Sequence, residues 1–276
     1  MTKKMNSKKR ADVFAYIILT IVGLVFAIPL AWLFLASFDA NATLAIRFPN
    51  LTLNNFIQVL TDGDNLRSFL NGLLIALGDS AIVVVCSILA AYPLSRFKMK
   101  HKKAFMLGIL FMTSLPITTI MVPVYKIFVK MHLYDNIFGL TLFMAASGMP
   151  YAIWMMKNFM DSVPVSLEEA AWVDGATRLK GITKVVLPQM LPGIFTIAIY
   201  TFSGAWGNFF VPFILLSSSE KYPASIMLYQ FFGQHNVAYG LLASYSLIYA
   251  LPAVILYVIS QQWMSRGFSM SGADKG

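Results

Sequence analysis

Long apolar runs separated by short polar segments form the main pattern of the chain. A helix that crosses the hydrocarbon core of a bilayer needs roughly 20 apolar residues in succession. Six runs fit this requirement, five of them free of Asp, Glu, Lys and Arg and one containing only Asp79. They predict six transmembrane helices, at about residues 13–38, 68–95, 104–125, 136–156, 190–216 and 241–264. The first run is longer than the ~7–15 apolar residues of a signal peptide, so we expect an uncleaved helix.

The composition agrees with lipid as the main solvent of the protein. Hydrophobic residues make up 58% of the 276 residues and charged residues only 12%, whereas soluble domains have about 25% charged residues. An ordinary water-soluble fold is therefore excluded, and the predicted fold class is all-α integral membrane with six transmembrane helices. We expect an N-terminal segment at 1–12, a single transmembrane domain at 13–265 and a C-terminal tail at 266–276.

The net charge of +9 is explained by membrane topology and does not call for nucleic-acid binding. Cytoplasmic loops of membrane proteins carry an excess of Lys and Arg. Five cations precede the first apolar run, and five more lie in the segment 96–103. With both termini in the cytoplasm, 16 of the 21 Lys and Arg residues lie on that side. An even number of spans also requires both termini on one side, so we predict cytoplasmic termini.

Motifs of catalytic and metal sites are absent from the sequence. There is no G-x-x-x-x-G-K-[ST] phosphate loop, no H-E-x-x-H and no G-x-S-x-G. The three histidines are dispersed, and the lone Cys86 offers neither a disulfide within the chain nor a cysteine metal site. We expect no catalytic residue, no metal ligand and no enzymatic activity of this chain alone.

Asp79 is the one ionisable residue deep within a predicted span. A carboxyl group in lipid is costly and is by default a candidate for a functional site, such as a proton relay. The alternative is a structural acid that is protonated or hydrogen-bonded to a neighbouring helix. A relay usually involves several ionisable groups, which favours the structural interpretation, but both stay open.

The segment 222–240, between the last two predicted spans, is aromatic and polar. On the predicted topology it lies outside the cell, and it is longer than the ~2–8 residues that join neighbouring helices. Such a segment can contact a sugar or another protein, or it can anchor the chain at the membrane surface. Its candidate contact residues are Gly233, Gln234, His235 and Asn236.

The segment 159–189, between predicted spans four and five, has the pattern of two short helices joined by a tight turn. Ser166 and Glu169 have the spacing of a capping box, which predicts a helix that begins at Leu167. Gly175 is placed to end this helix in the left-handed conformation. A second helix is expected to follow it.

This second helix completes a motif with a family resemblance. Thr177 is placed to cap it, and Pro188 to end it. The spacing of the whole segment resembles the EAA loop of bacterial ABC-importer permeases, E-A-A-x3-G-x9-I-x-L-P, with Val185 in place of the isoleucine. The resemblance implies that this loop docks on a separate ATPase subunit and couples it to the pore. The residues that match the motif or lie beside it are Glu168, Glu169, Ala170, Ala171, Asp174, Gly175, Leu187 and Pro188.

Other stretches are similar to the shorter permease subunit of maltose-type sugar importers. They are Asn71-Gly72, the segment 90–96 and the tail 267–276. Gly72 stands where Ser is usual, and Asp79 occupies a normally neutral position. The resemblance implies the type I ABC importer permease fold in a bacterial cell membrane, and half of a pore for a carbohydrate, above all an oligosaccharide. Glycerol phosphate or a polyamine is the alternative cargo.

The resemblance also implies the partners of the chain. These are a second permease subunit, two ATPase subunits that bind ATP and Mg, and an extracytoplasmic solute-binding protein. The chain itself is expected to bind no cofactor. In the family, the external loop acts as a scoop that competes with bound sugar, and the tail inserts between the ATPase subunits. A proton-coupled carrier, which would need no ATPase, is the alternative from another functional class.

Overall fold

The computed structural model describes residues 2–45, 48–232 and 237–272, with side chains described from residue 12 to residue 261 within these ranges. Helices cover most of the described chain. They are α1 Thr2–Ser37, α2 Asn54–Thr61, α3 Gly63–Arg96, α4 Lys102–Thr113, α5 Ile117–Lys130, α6 Ile137–Asp161, α7 Val165–Val173, α8 Arg178–Gly181, α9 Leu187–Trp206, α10 Phe210–Leu215, α11 Ala224–Phe232 and α12 Tyr239–Gly272. A π-helical turn, Ile182–Val186, joins α8 to α9, and a 3-10 turn, Ser219–Lys221, precedes α11.

Five helices among the described residues are long and apolar enough to cross a membrane. They are Asp12–Ser37, Gly63–Arg96, Ile137–Asp161, Arg178–Trp206 and Tyr239–Gln261. The pair formed by α4 and α5 raises the number to six when it is counted as one bent span. The all-helical membrane class is therefore confirmed, with five or six candidate spans.

The third predicted span, 104–125, is not a single straight helix. α4 and α5 are separated by three residues, and their axes are bent by 90°. Pro116 lies in this break with an extended backbone, φ −64° and ψ 126°. A proline lacks the N–H that would continue α4 and disfavours the helical conformation of the residue before it. The apolar run was identified correctly, but its continuity was not.

The fifth predicted span, 190–216, was displaced along the chain. The spanning helix begins at Arg178, inside the preceding loop, and ends at Trp206. Gly207 then caps the helix, and the remaining apolar residues form the short separate helix α10. Hydropathy alone placed the end too late because the residues of α10 are also apolar.

Contacts divide the chain into two compact units. The first comprises residues 1–63 and 230–250, and the second residues 64–229 and 251–276. In the first unit, the amide of Asn55 donates to the backbone carbonyls of Ser37 and Asp39, at 3.1 and 3.0 Å. These bonds hold α2 against the end of α1.

The second unit has its core where α3, α6 and α9 meet. The fully or nearly buried residues are Val83, Ala91, Ala145, Ala152, Met156, Met160, Val163, Val186, Met190 and Ile197. At the crossing of α6 and α9, a Cβ at Gly193 would overlap the ring of Phe159. A glycine at this point lets the two helices approach closely, as small residues do in membrane proteins.

Asp135 fastens two segments at one end of the second unit. Its carboxylate accepts hydrogen bonds from the backbone N–H groups of Ser217 and Ser218, both at 3.0 Å, and from the ammonium of Lys221 at 2.7 Å. Burial by itself would raise the pKa of Asp135, but the hydrogen bonds from Lys221, Ser218 and Ser217 outweigh it and hold that pKa well below the usual range. The turn before α6 and the segment after α10 are thus joined.

The beginning of α3 is bound to the same segment. The Asn71 amide donates to the carbonyls of Glu220 and Tyr222, at 2.8 and 3.3 Å. Next to it, a Cβ at Gly72 would lie 2.9 Å from the ring of Trp206. The large indole beside residue 72 leaves little room for a side chain there, which suits glycine.

Candidate coupling site

The helix α7 begins at Val165, directly after Pro164, whose backbone is extended with φ −58° and ψ 132°. The start predicted from a capping box was therefore wrong. Ser166 lies within the helix, and no side chain caps its first turn in the structure. The proline supplies the start instead, because its fixed φ already suits the entry to a helix.

The turn after α7 was predicted correctly. Gly175 has φ +85°, in the left-handed region. Its N–H donates to the carbonyl of Trp172 at 3.0 Å, and the N–H of Ala176 donates to the carbonyl of Ala171 at 2.9 Å. This pair of bonds is the Schellman motif, which satisfies the last carbonyls of a helix. Residue 175 therefore fixes the direction in which the chain leaves α7.

The second helix of the loop begins as predicted but does not end as predicted. The Thr177 hydroxyl accepts a bond from the N–H of Lys180 at 3.4 Å, as a helix cap. Pro188, however, does not stop the helix, which continues through the π-helical turn into α9. The wider turn precedes the proline, and Pro188 lies in the first turn of α9, where a missing N–H is tolerated. The second helix of the loop and the fifth span therefore form one continuous helix, Arg178–Trp206.

Glu168 lies on the buried side of α7, and its carboxylate binds two side chains of α3. Its carboxylate is paired with the guanidinium of Arg96, and the side chains are only 1% and 7% exposed. The hydroxyl of Tyr92 donates to the other carboxylate oxygen at 3.1 Å. A buried charge of this kind is tolerated only when it is paired and hydrogen-bonded. Glu168 thereby joins α7 to the end of α3.

Arg96 extends the connection to the end of α6. Its guanidinium donates to the backbone carbonyls of Met160, at 3.2 Å, and Val163, at 3.0 Å. These are carbonyls at and just beyond the end of α6, where a cation also interacts favourably with the helix dipole. Beside it, the Ser95 hydroxyl donates to the carboxylate of Asp161 at 2.6 Å. The side chain of Arg96 therefore connects α3 with both α6 and α7.

The remaining residues of the motif leave an open surface on α7. Glu169, Ala170 and Asp174 are exposed, whereas Ala171 is half-buried. Val173 is 87% exposed within the chain. Together with the exposed Val165 and Leu167, Val173 makes this surface partly apolar and available for contact with a partner protein.

Comparison with known proteins identifies the family. The protein-family model described as the binding-protein-dependent transport system inner membrane component matches residues 83–269. This chain belongs to that family. It is the permease subunit of a binding-protein-dependent ABC importer, a multi-pass inner membrane component that is not itself an enzyme.

Curated relatives of the permease cover nearly its whole length. A sulfoquinovosyl glycerol transport system permease of Agrobacterium fabrum is 30% identical, with 88% of this chain and 87% of that protein covered. A maltodextrin transport system permease of Streptococcus pneumoniae is 26% identical over the full length of both. A diacetylchitobiose uptake permease of Streptomyces coelicolor is also 26% identical, covering 92% and 93% of the two chains.

The fold matches that of a solved importer. A chain of a bacterial ABC transporter involved in the import of alginate superposes with a TM-score of 0.82 at 22% identity, covering 93% of this permease and 97% of that chain. At this identity the match shows the fold alone. It confirms the importer permease architecture that the sequence resemblance predicted.

The remaining predicted site residues are Asp79, four residues of the segment 222–240 and the C-terminal tail. Asp79 is 4% exposed at the middle of α3, and no hydrogen bond or ion pair of its carboxyl is found among the described residues. The predicted scoop residues Gly233, Gln234, His235 and Asn236 lie outside the described residues. Of the predicted tail insertion, the structure describes only the helical backbone to Gly272.

Two residues of the candidate coupling site were not predicted from the sequence. Arg96 was attributed to the cytoplasmic excess of cations, and Tyr92 was noted only within a similar stretch. Their partner Glu168 lies 72 residues from Arg96 in the sequence. No local pattern marks a pair at that separation, although an arginine at the very end of a span is a signal to look for a carboxylate partner.

Proposed function

We propose that the permease forms half of the pore of a carbohydrate importer, with an oligosaccharide as its cargo. The observation that carries this proposal is the set of relatives named for sulfoquinovosyl glycerol, diacetylchitobiose and maltodextrin, which are aligned over most of the chain. A second permease subunit forms the other half of the pore. An extracytoplasmic solute-binding protein delivers the sugar, and the two ATPase subunits carry ATP and Mg.

The coupling step uses α7 as the contact with an ATPase subunit. Glu169, Val173 and the alanines offer the docking surface, and the Schellman turn at Gly175 holds it in a fixed direction. When the ATPase subunits close on ATP, the docked helix moves. The buried Arg96–Glu168 pair passes that movement to α3 and α6, and the continuous helix from Arg178 passes it to α9.

This function places both termini and α7 in the cytoplasm. The segment around Gly233–Asn236 then lies outside and acts as the scoop that helps to release sugar from the binding protein. Reporter fusions after Lys103 and after Gln234 are expected to report the cytoplasm and the exterior, respectively. The same side for both fusions would contradict the topology.

The cargo is tested with purified components. The solute-binding protein of this importer is titrated calorimetrically with maltotriose, N,N′-diacetylchitobiose, sulfoquinovosyl glycerol, glycerol 3-phosphate and spermidine. The complete importer in proteoliposomes is then assayed for ATP-dependent uptake of whatever binds. Binding and uptake of a saccharide are expected. Uptake of only glycerol 3-phosphate or spermidine would replace the carbohydrate with the alternative cargo, and uptake without ATP would contradict the importer itself.

A further inference from the structure

One face of α6 is polar and aromatic although the helix lies within a span. Ser147, Tyr151, Trp154 and Asn158 follow one another at intervals of four, three and four residues, which places them on the same side of a helix. Each is at least partly exposed within the chain. A face that meets only lipid is normally apolar, so these four residues indicate a face directed to something more polar than hydrocarbon.

A matching face runs along α9. Tyr200, Ser203 and Gly204 are exposed, at intervals that again place them on one side of the helix. Tyr200 is 52% exposed, and a Cβ at Gly204 would meet no atom within 4 Å. This side of α9 is therefore open in the permease, in contrast with the side that packs on Phe159.

The two faces meet at an aromatic contact. The ring centroids of Tyr151 and Tyr200 are 4.7 Å apart, and those of Tyr151 and Trp154 are 6.4 Å apart with nearly parallel planes, 28°. The three rings form a continuous patch. The hydroxyl groups of Ser147 and Ser203 belong to the faces that flank it.

Tyr151, at the centre of the patch, lies near the middle of α6, and Trp154 lies about one turn closer to the end of that helix. By the rise of 1.5 Å per residue, Tyr151 is roughly 21 Å from the start of α6 and roughly 15 Å from its end. Tyr200 is level with the centre of α3, because the Ser80 hydroxyl donates to the carbonyl of Ala198 at 3.0 Å. Aromatic residues that anchor a protein in the bilayer lie at its two surfaces. This depth is instead where transporters bind their substrates.

We propose that Tyr151, Trp154 and Tyr200 form a saccharide-binding patch on the wall of the pore. The apolar C–H face of a sugar ring stacks on an aromatic ring, while its hydroxyl groups bond to polar groups nearby. None of the seven residues named on the two faces is charged, and Lys157 and Asp161, which lie near the end of α6, are paired with each other. The patch therefore fits a neutral saccharide better than a phosphate ester or a polyamine. This assignment rests on the proposed function, because the patch has a role only if sugar crosses the pore.

Access to water is the first test, on the complete importer in proteoliposomes. In a Cys86→Ser background, which removes the only cysteine of the chain, Ser147→Cys and Ser203→Cys are treated with a charged, membrane-impermeant thiol reagent. Leu89→Cys is the matched control, since Leu89 is 68% exposed on an apolar part of α3. Labelling of this chain is expected at 147 and 203 but not at 89. No labelling at 147 and 203 would mean that lipid or the second permease covers the face, which overturns the proposal.

Protection by sugar is the second readout. A mixture of maltotriose and N,N′-diacetylchitobiose, added with the binding protein and ATP, is expected to slow labelling at 147 and 203 at least tenfold. Unchanged labelling during active uptake of these sugars would overturn the patch while leaving the proposed function intact. Uptake of charged sulfoquinovosyl glycerol alone would overturn the neutral-saccharide assignment in the same way. Failure to take up any saccharide would instead overturn the proposed function and the patch with it.

Substitution of the rings is the third test. Tyr151→Ala and Tyr200→Ala are expected to reduce uptake efficiency roughly 2- to 13-fold, which corresponds to the loss of one aromatic contact of about 0.5–1.5 kcal/mol. Tyr151→Phe and Tyr200→Phe keep the ring and are expected to retain most of the uptake. Tyr257→Ala removes a 62% exposed tyrosine from α12 and serves as the control. Wild-type uptake in the alanine variants, or an equal loss in the control, would contradict the assignment.

Discussion

Removal of the buried charge of Glu168 tests the connection between α7 and the spans. Glu168→Gln keeps the size of the side chain but leaves the guanidinium of Arg96, itself only 7% exposed, without its carboxylate. Breaking a buried ion pair from one side costs about 3–5 kcal/mol. We expect the low end of that range, because Arg96 still donates to the carbonyls of Met160 and Val163.

The neighbouring glutamate provides a matched control. Glu169→Gln makes the same chemical change one residue later on an exposed side chain, where substitutions usually change the free energy of unfolding by less than about 0.5 kcal/mol. Thermal unfolding of the purified importer complex is expected to separate the two variants clearly. Glu169→Gln is expected to weaken docking of the ATPase subunits without destabilising the permease.

A double-mutant cycle then isolates the pair. Arg96→Gln, Glu168→Gln and the double variant are compared for thermal stability and for sugar taken up per ATP hydrolysed. The double variant is expected to lose less stability than the two single variants lose together, because it leaves no charge unpaired. Both single variants are expected to hydrolyse ATP while transporting less sugar. Additive stability effects with normal transport in both single variants would refute the role of the pair.

Substitutions at three further positions, each with a control variant, test individual features of the structure. Gly175→Ala is expected to lower the stability by about 1 kcal/mol and to weaken ATPase docking, because φ is +85° at this position even though the space around it is open. Asparagine tolerates the left-handed region, so Gly175→Asn should retain binding in a pull-down with the ATPase. Gly193→Ala is expected to lower the yield of folded permease on size-exclusion chromatography, whereas Gly23→Ala, with no atom within 4 Å, should not. Asp135→Asn is expected to lower the thermal stability relative to wild type and to Glu220→Gln. Because the folded pKa of Asp135 is depressed, this stability difference should stay constant from pH 8 to about pH 5 and shrink only as the pH falls below the unfolded pKa of about 4.

The transmembrane helices could be predicted because lipid imposes one simple requirement on the sequence. A segment in the bilayer core must be apolar and must satisfy its own backbone, so charge-free runs of sufficient length mark the helical spans. Where a helix breaks is decided by finer interactions. Pro116 interrupts the helix between α4 and α5, whereas Pro188 is accommodated after a π-helical turn. Hydropathy does not distinguish these two prolines.

The candidate coupling site was predicted only in its local features. Gly175 and Thr177 were identified because a left-handed turn and a helix cap depend on residue type and near neighbours. The Arg96–Glu168 pair depends on how distant helices pack, and so does the contact between Tyr151 and Tyr200. Such pairs follow from the tertiary structure, and no periodicity within a single segment reveals them.

The continuous helix from Arg178 to Trp206 connects the two proposed sites. One end carries the turn at Thr177, next to the surface proposed to dock an ATPase subunit, and the aromatic patch includes Tyr200 near the other end. By the rise per residue these points are roughly 35 Å apart. A continuous helix carries a displacement between these points, with the π-helical turn and Pro192 as the positions at which it can bend. A helix that ended at Pro188 would have separated them. On the proposed mechanism, the π-helical turn before Pro188 keeps the second helix of the segment 159–189 and the proposed saccharide-binding patch on a single element.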